Sequence, residues 1–323
     1  MGCNRILWID MLKGFSILWL IVYHFYVWDW LPSPVPVFFF LSGLFFSMGG
    51  DFRSFLLKKS KAIMIPFAFF YVLGMLPVLI LYSGGFLKYV IGGIKLFTLI
   101  PIESGNVNLL GVGAIWFLPS LFEVYLIHYA VNKVTRSRYF AIFIGLISVA
   151  LSTVLLTKYG MGSLFYLIQS LQFVLYFVVA DKFKDIFLND SPAYKWILIA
   201  IALFALRYIP IDRTTTFEML LGGLQDKFSF FGIIILLLIV SKVISELPPP
   251  TRLLVNILCF FGSNSLTVLG THLIAMSIVK RILQLFMKEG PQYYVILFAV
   301  VVMSCTICIF IFNKYLPRLV NKK

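Results

Sequence analysis

Charged residues are scarce in this chain: Asp, Glu, Lys and Arg together make up 12% of its 323 residues. An ordinary soluble domain carries about twice that share. Acidic residues are the scarcest, 13 against 27 Lys and Arg, and there are only 3 His and 4 Cys. So little charge excludes a soluble globular domain and a disordered chain alike, and so few cysteines exclude a secreted disulfide scaffold. Cys305 and Cys308 are close in sequence but sit in an apolar run with no His, Asp or Glu to complete a metal set, so no metal site is expected. Internal repeats, low-complexity linkers and a hydrophilic segment long enough for a soluble domain are also missing. Residues 1–323 therefore read as a single membrane domain.

Apolar residues fill the space, at 61% with a mean hydropathy of +0.99. A membrane-spanning helix uses roughly 20 residues, so the chain has material for about ten. The apolar runs fall at 6–27, 35–48, 62–82, 114–131, 139–157, 163–180, 196–210, 228–244, 264–283 and 292–312. The first run is too long and too polar for a cleaved signal peptide, because it carries Asp10, Lys13 and His24. The stretch 86–100, rich in Gly and Lys, reads as interfacial or re-entrant. The net charge of +14 does not point to nucleic acid, since the basic residues punctuate the apolar runs. With a cytoplasmic amino terminus, seventeen of the 27 Lys and Arg fall inside, nine outside (Arg213 and Lys227 among them), and Lys13 lies within a span. The positive-inside rule thus predicts an all-α bundle of about ten transmembrane helices with both termini cytoplasmic.

Ionisable residues within the spans carry the functional information, because each costs roughly 2.5–3.5 kcal/mol to insert and is a functional candidate by default. Lys13 and His24 are eleven residues apart, which at ~100° per residue is three turns plus ~20°, so they share one stripe of a helix ~16 Å apart along its axis. Asp10 stands one turn before Lys13, placed to offset its charge. A structural ion pair near one interface and a hydrogen-bonded His near the other fit the same spacing. A histidine in such a place can exchange protons. A proton-coupled transporter and an enzyme both use that chemistry, and spacing does not separate them.

The ordered motifs resemble one family. Trp8 to Ile17 (WIDMLKGFSI), continuing to His24, is similar to the first helix of the membrane acyltransferase 3 family, whose hallmark is Arg or Lys, ten residues, then His. Phe38 to Gly43 (FFFLSG) resembles its aromatic-aromatic-x-x-Ser-Gly signature, and Lys58 to Pro66 (KKSKAIMIP) its basic loop before the third helix. Ile115 to Pro119 (IWFLP) and Gly262 to His272 (GSNSLTVLGTH) resemble two further elements. The basic loop departs from the family in using Lys where many members have Arg, which weakens bidentate phosphate recognition. A carboxy-terminal extracytoplasmic domain, present in some members, is not expected here.

The resemblance implies an integral O-acyltransferase of the cytoplasmic membrane. It would move an acyl group, commonly acetyl, from acyl-CoA to a hydroxyl of a surface polysaccharide or its lipid-linked precursor. In that reading His24 is the general base, Lys13 orients the donor or stabilises developing negative charge, and Asp10 tunes Lys13. Arg53, Lys58, Lys59 and Lys61 form a cationic patch for the donor's phosphates, or simply mark the cytoplasmic side. Ser42, Trp116, Glu123 and His272 are secondary candidates, with Ser42 and Gly43 expected to bring the second helix close to the first. His128, beside Tyr129 and Asn132, reads as structural. Lys13, His24, Trp116 and His272 are expected to line one cavity. The alternative reading is a transporter or flippase for a glycan or lipid-linked sugar.

Overall fold

The computed structural model describes residues 6–25, 32–81, 115–159, 167–188, 193–246 and 252–320. The stretch 86–100 lies outside them. These residues are helical, with no strand among them. In chain order the helices are α1 (Leu7–Tyr23), α2 (Val35–Leu44), α3 (Phe52–Lys59), a π-helical turn (Ser60–Met64) and α4 (Ile65–Leu81). After the next described stretch begins come α5 (Phe117–Val134), α6 (Arg138–Tyr159), α7 (Leu167–Lys182), α8 (Lys184–Leu188) and α9 (Ala193–Ala205). The last are α10 (Thr216–Glu246), α11 (Arg252–Ser263), α12 (Ser265–Gln284) and α13 (Pro291–Tyr315).

Four of these are long and apolar enough to cross a membrane on their own account: Arg138–Leu156 within α6, and α10, α12 and α13. α1 and α2 are shorter than the runs 6–27 and 35–48 that announce them. α1 stops at Tyr23 with His24 as its cap, and α2 is held to ten residues between Pro34 and Phe45. α3 begins where the Asp51 carboxylate accepts the Ser54 N–H at 3.3 Å. α10 opens on a reciprocal capping box, in which the Glu218 carboxylate accepts the Thr215 N–H and the Thr215 hydroxyl oxygen accepts the Glu218 N–H. Pro119 sits in the first turn of α5, where its missing N–H costs no helical bond.

Small residues decide which helices touch. A Cβ on Gly262 of α11 would fall 1.7 Å from the Asp10 carbonyl oxygen, and one on Gly14 would fall 1.9 Å from the Leu258 carbonyl oxygen. Two bare backbones therefore cross there, fixing α1 against α11. Gly43 does the same for α2, but against α7: its Cβ would meet the Phe177 carbonyl oxygen at 2.3 Å. The Ser-Gly step expected to join α2 to α1 serves α7 instead. Between α2 and α7 an aromatic core fills the gap, led by Phe39 stacked on Phe173 with centroids 4.2 Å apart.

Cross-helix contacts collect the basic segments at one end of the bundle. Lys242 near the end of α10 lies over the ring of Trp8 at the start of α1, Lys182 at the end of α7 donates to Asn132 at the end of α5, and Arg138 at the start of α6 lies over Phe183. The Asn313 side chain near the end of α13 bonds Asn264, just before α12, at 3.0 Å. The end of α1 meets the start of α13 through Phe25 and Tyr294, at the opposite end.

Candidate functional site

A cavity of about 440 Å³ lies in the half of the bundle nearer the basic end. Leu, Ile and Phe side chains from α1, α2, α5 and α12 make most of its wall, and polarity enters at Lys13, Ser42, Lys59, Tyr125 and Ser265. Lys13 reaches it from α1 with Asp10 3.7 Å behind, a separation that softens the charge without a tight ion pair.

The basic loop splits at this cavity. Lys59 is half-buried and lines it, with Nζ 3.5 Å from the centroid of the Tyr125 ring. Tyr125 is itself held by a hydroxyl bond to the Ser42 carbonyl at 3.4 Å. Arg53, Lys58 and Lys61 are exposed and take no part in the wall. Ordinary helical spacing accounts for the division: Lys59, Ala62 and Ile63 stand at i, i+3 and i+4 and line the cavity together, while Lys58 and Lys61 fall on the exposed side. Burial, with Lys58 beside it, lowers the Lys59 pKa to about 8.

Further along α1 the stripe continues from Lys13 through Ile17 in the cavity wall to His24. His24 does not line this cavity; it meets His272 of α12, with ring centroids 5.3 Å apart. His272 is fully buried, and its Nδ1 lies 2.9 Å from the Val268 carbonyl and 3.1 Å from that of Leu269. Carbonyls only accept, so the proton of a neutral His272 is on Nδ1 and Nε2 is left with its lone pair. Leu269 also lines the cavity, one turn from His272. The histidine pair thus adjoins the cavity at the side away from the basic end.

The remaining candidates separate. Trp116 lies outside the cavity wall and packs on Phe173 at 5.9 Å, although its neighbours Phe117 and Leu118 belong to the wall. The single cavity expected for Lys13, His24, Trp116 and His272 therefore holds only Lys13; side-chain direction at the start of α5 and the reach of α1 beyond the cavity separate the rest. Glu123 accepts a hydrogen bond from Ser170 of α7 and faces away from the cavity. His128 is buried and bonds the Asp181 carboxylate at 2.8 Å, joining a polar cluster with Asn132 and Lys182 between the ends of α5 and α7. Its structural reading agrees with that geometry.

Sequence reasoning missed Tyr125, Gln172, Asp181 and Lys227. The partners of these residues come from other helices, so linear spacing carried no sign of them. For Asp181 a signal was present: an acid at the end of an apolar run, in a chain with only 13 acids, asks for a partner.

A sequence model described as an acyltransferase domain, that of the acyltransferase 3 family, matches residues 6–312. That is nearly the whole chain, and the chain belongs to this family. No curated protein and no solved structure matches it. With its apolar helices, the family makes the protein a membrane acyltransferase.

Proposed function

We propose that this member of the acyltransferase 3 family moves an acyl group, acetyl in the first instance, from cytoplasmic acyl-CoA to a hydroxyl of a surface polysaccharide or its lipid-linked precursor. The basic end faces the cytoplasm in this reading, and the membrane is the cytoplasmic one. The observation that carries it is the continuity of one polar stripe. Two ammonium groups, Lys13 and Lys59, stand in a cavity near the basic end, and α1 leads from there to paired histidines near the other end.

The chemistry is set by that order. Lys59, with its charge over the Tyr125 ring, holds an anionic phosphate of the donor at the cytoplasmic mouth. Arg53, Lys58 and Lys61 stay in the solvent and raise the local concentration of the anionic donor without touching it in the cavity. The pantetheine arm extends between apolar walls past Lys13 towards His24, ~16 Å further along α1. The acceptor hydroxyl loses its proton to His24 as its oxygen bonds the thioester carbon. The C–S bond breaks, and the thiolate takes the proton back from His24 to leave as free CoA. His272 packs its buried ring against that of His24, with centroids 5.3 Å apart, and so keeps the His24 imidazole in place for the hydroxyl. Lys13, tuned by Asp10, steadies negative charge on the donor. Ser42 fixes Tyr125 through its carbonyl, and Glu123 holds α5 to α7.

The deciding experiment is acyl transfer from acetyl-CoA in proteoliposomes. His24→Ala is expected to lower transfer by 10²–10⁴-fold, the scale of a lost general base, with membrane insertion unchanged. Full activity in that variant overturns the assignment. Glycan movement across the bilayer in the absence of acetyl-CoA replaces the reading with a transporter.

A further inference from the structure

Lys227 is a cation at the end of the bundle away from the cytoplasmic mouth, and the transfer chemistry has no use for it. Its ammonium donates to the neutral Gln172 side-chain oxygen of α7 at 3.1 Å and lies 5.8 Å from the Phe173 ring centroid. Among the described residues no carboxylate stands within ion-pair distance of it. The adjacent acid, Asp226, is taken by Arg213 through two bonds of 2.9 and 3.1 Å. Lys227 is half-buried, and its hydrogen-bonded side-chain partner is a neutral amide, so the ammonium keeps capacity for an anion.

Two contacts fix how deep this cation lies. α1 and α10 run antiparallel side by side: Lys242 sits over Trp8, and Phe230 stacks with Trp19 at 6.4 Å. Counting from the first pair, Lys227 stands about 23 Å along α10 and His24 about 24 Å along α1, at ~1.5 Å per residue. Counting from the second pair gives about 4.5 and 7.5 Å. Both counts bring Lys227 to the level of His24 within a few ångströms, on a neighbouring helix.

The surroundings suit a sugar. Phe173 is buried and stacked on Phe39, so the half-buried Trp116, packed on it at 5.9 Å, is the ring left for the apolar side of a pyranose. The Gln172 amide, bonded to Lys227 through its oxygen, keeps its NH₂ for a ring hydroxyl. The ammonium has protons left for an anionic substituent.

We propose that Lys227, Gln172 and Trp116 form an acceptor subsite for an anionic sugar, one bearing a carboxylate or a phosphate ester, held at the level of His24. The inference rests on the acyltransferase reading for the role of the site, and stands apart from it for binding.

The test uses the full-length protein in lipid nanodiscs and three probes: methyl glucuronoside, glucose 6-phosphate and the neutral methyl glucoside. Binding is followed by the quench of tryptophan fluorescence and by the thermal midpoint. The expected result is about tenfold tighter binding of at least one anionic probe than of methyl glucoside, the scale of one charge-assisted contact, and the glucuronoside and phosphate arms say which anion is preferred. Lys227→Gln removes that preference and Lys227→Arg keeps it. In the wild type the preference fades between 50 mM and 500 mM NaCl, a readout that survives even if the Gln variant fails to fold. Equal or absent binding of all three probes, or an anion preference that persists in Lys227→Gln or is indifferent to salt, overturns the subsite. Lys227-dependent binding without any consumption of acetyl-CoA would leave the subsite standing and remove the acyltransferase reading. Transfer lost in His24→Ala without anion preference would do the opposite.

Discussion

Lys59 carries the clearest dependence on pH. It stands outside the spans, at the end of the short helix α3, and burial beside Lys58 lowers its pKa to about 8. A lysine is charged below its pKa, so the ammonium proposed to hold the donor's phosphate is present at pH 7 and lost as pH rises through about 8. The KM for acetyl-CoA is therefore expected to rise between pH 7 and pH 9, by up to about tenfold, the scale of one lost charged contact. Lys59→Arg keeps its charge throughout and should flatten that rise, while Lys58→Gln, on an exposed side chain, should leave its shape unchanged. Identical profiles for wild type and Lys59→Arg would show that the donor is not held there. Four basic residues in nine looked equivalent in the sequence. What distinguishes them is which face of the segment packs inward, the one that carries Lys59 with Ala62 and Ile63, and composition does not announce that packing.

At the scale of elements, helical period made the stripe from Lys13 to His24 legible, because spacing within one helix is local information. The same reasoning could not reach His24 against His272, Lys59 against Tyr125 or Lys227 against Gln172, since each depends on which helices pack together. Glycines decide that packing, and the clearest case is Gly262 against Asp10. Gly262→Ala would put a methyl 1.7 Å from a backbone oxygen that cannot swing aside. α1 and α11 must then separate, at a cost of roughly 1–3 kcal/mol for an overpacked contact. The same movement withdraws Lys13 from the cavity. A lowered thermal midpoint together with a raised KM for acetyl-CoA is the expected result. Gly290→Ala, whose new methyl meets nothing within 4 Å and whose backbone is fully extended, is the matched control. Equal behaviour of the two variants would show that the crossing does not position the site. Gly43 carries the opposite lesson: its motif was readable, but only the packed structure assigns it to α7.

For the whole molecule, sparse charge at first suggested only that no soluble catalytic domain was present. In the folded bundle the same scarcity has a direction, since the basic segments around Lys59, Lys133, Lys182, Lys242 and Lys314 gather where α1 begins. The positive-inside bias predicts that this end faces the cytoplasm. The proposed mechanism asks for the same orientation, because it takes an anionic donor from the cytoplasm and gives Lys59 its phosphate at the cavity mouth. Two exposed positions test the orientation: Ser137, between α5 and α6 at the basic end, and Asp212, before α10 at the opposite end. In a background with the native cysteines replaced by alanine, Ser137→Cys should react with an impermeant maleimide only after the membrane is opened. Asp212→Cys should react in intact cells. The reverse pattern would put Lys59 outside and His24 near the cytoplasm, so that donor and acceptor would have to enter from opposite sides to those proposed. It would leave the fold intact and remove the route from acyl-CoA to a surface glycan, because the cations that meet the donor would stand where no acyl-CoA is supplied.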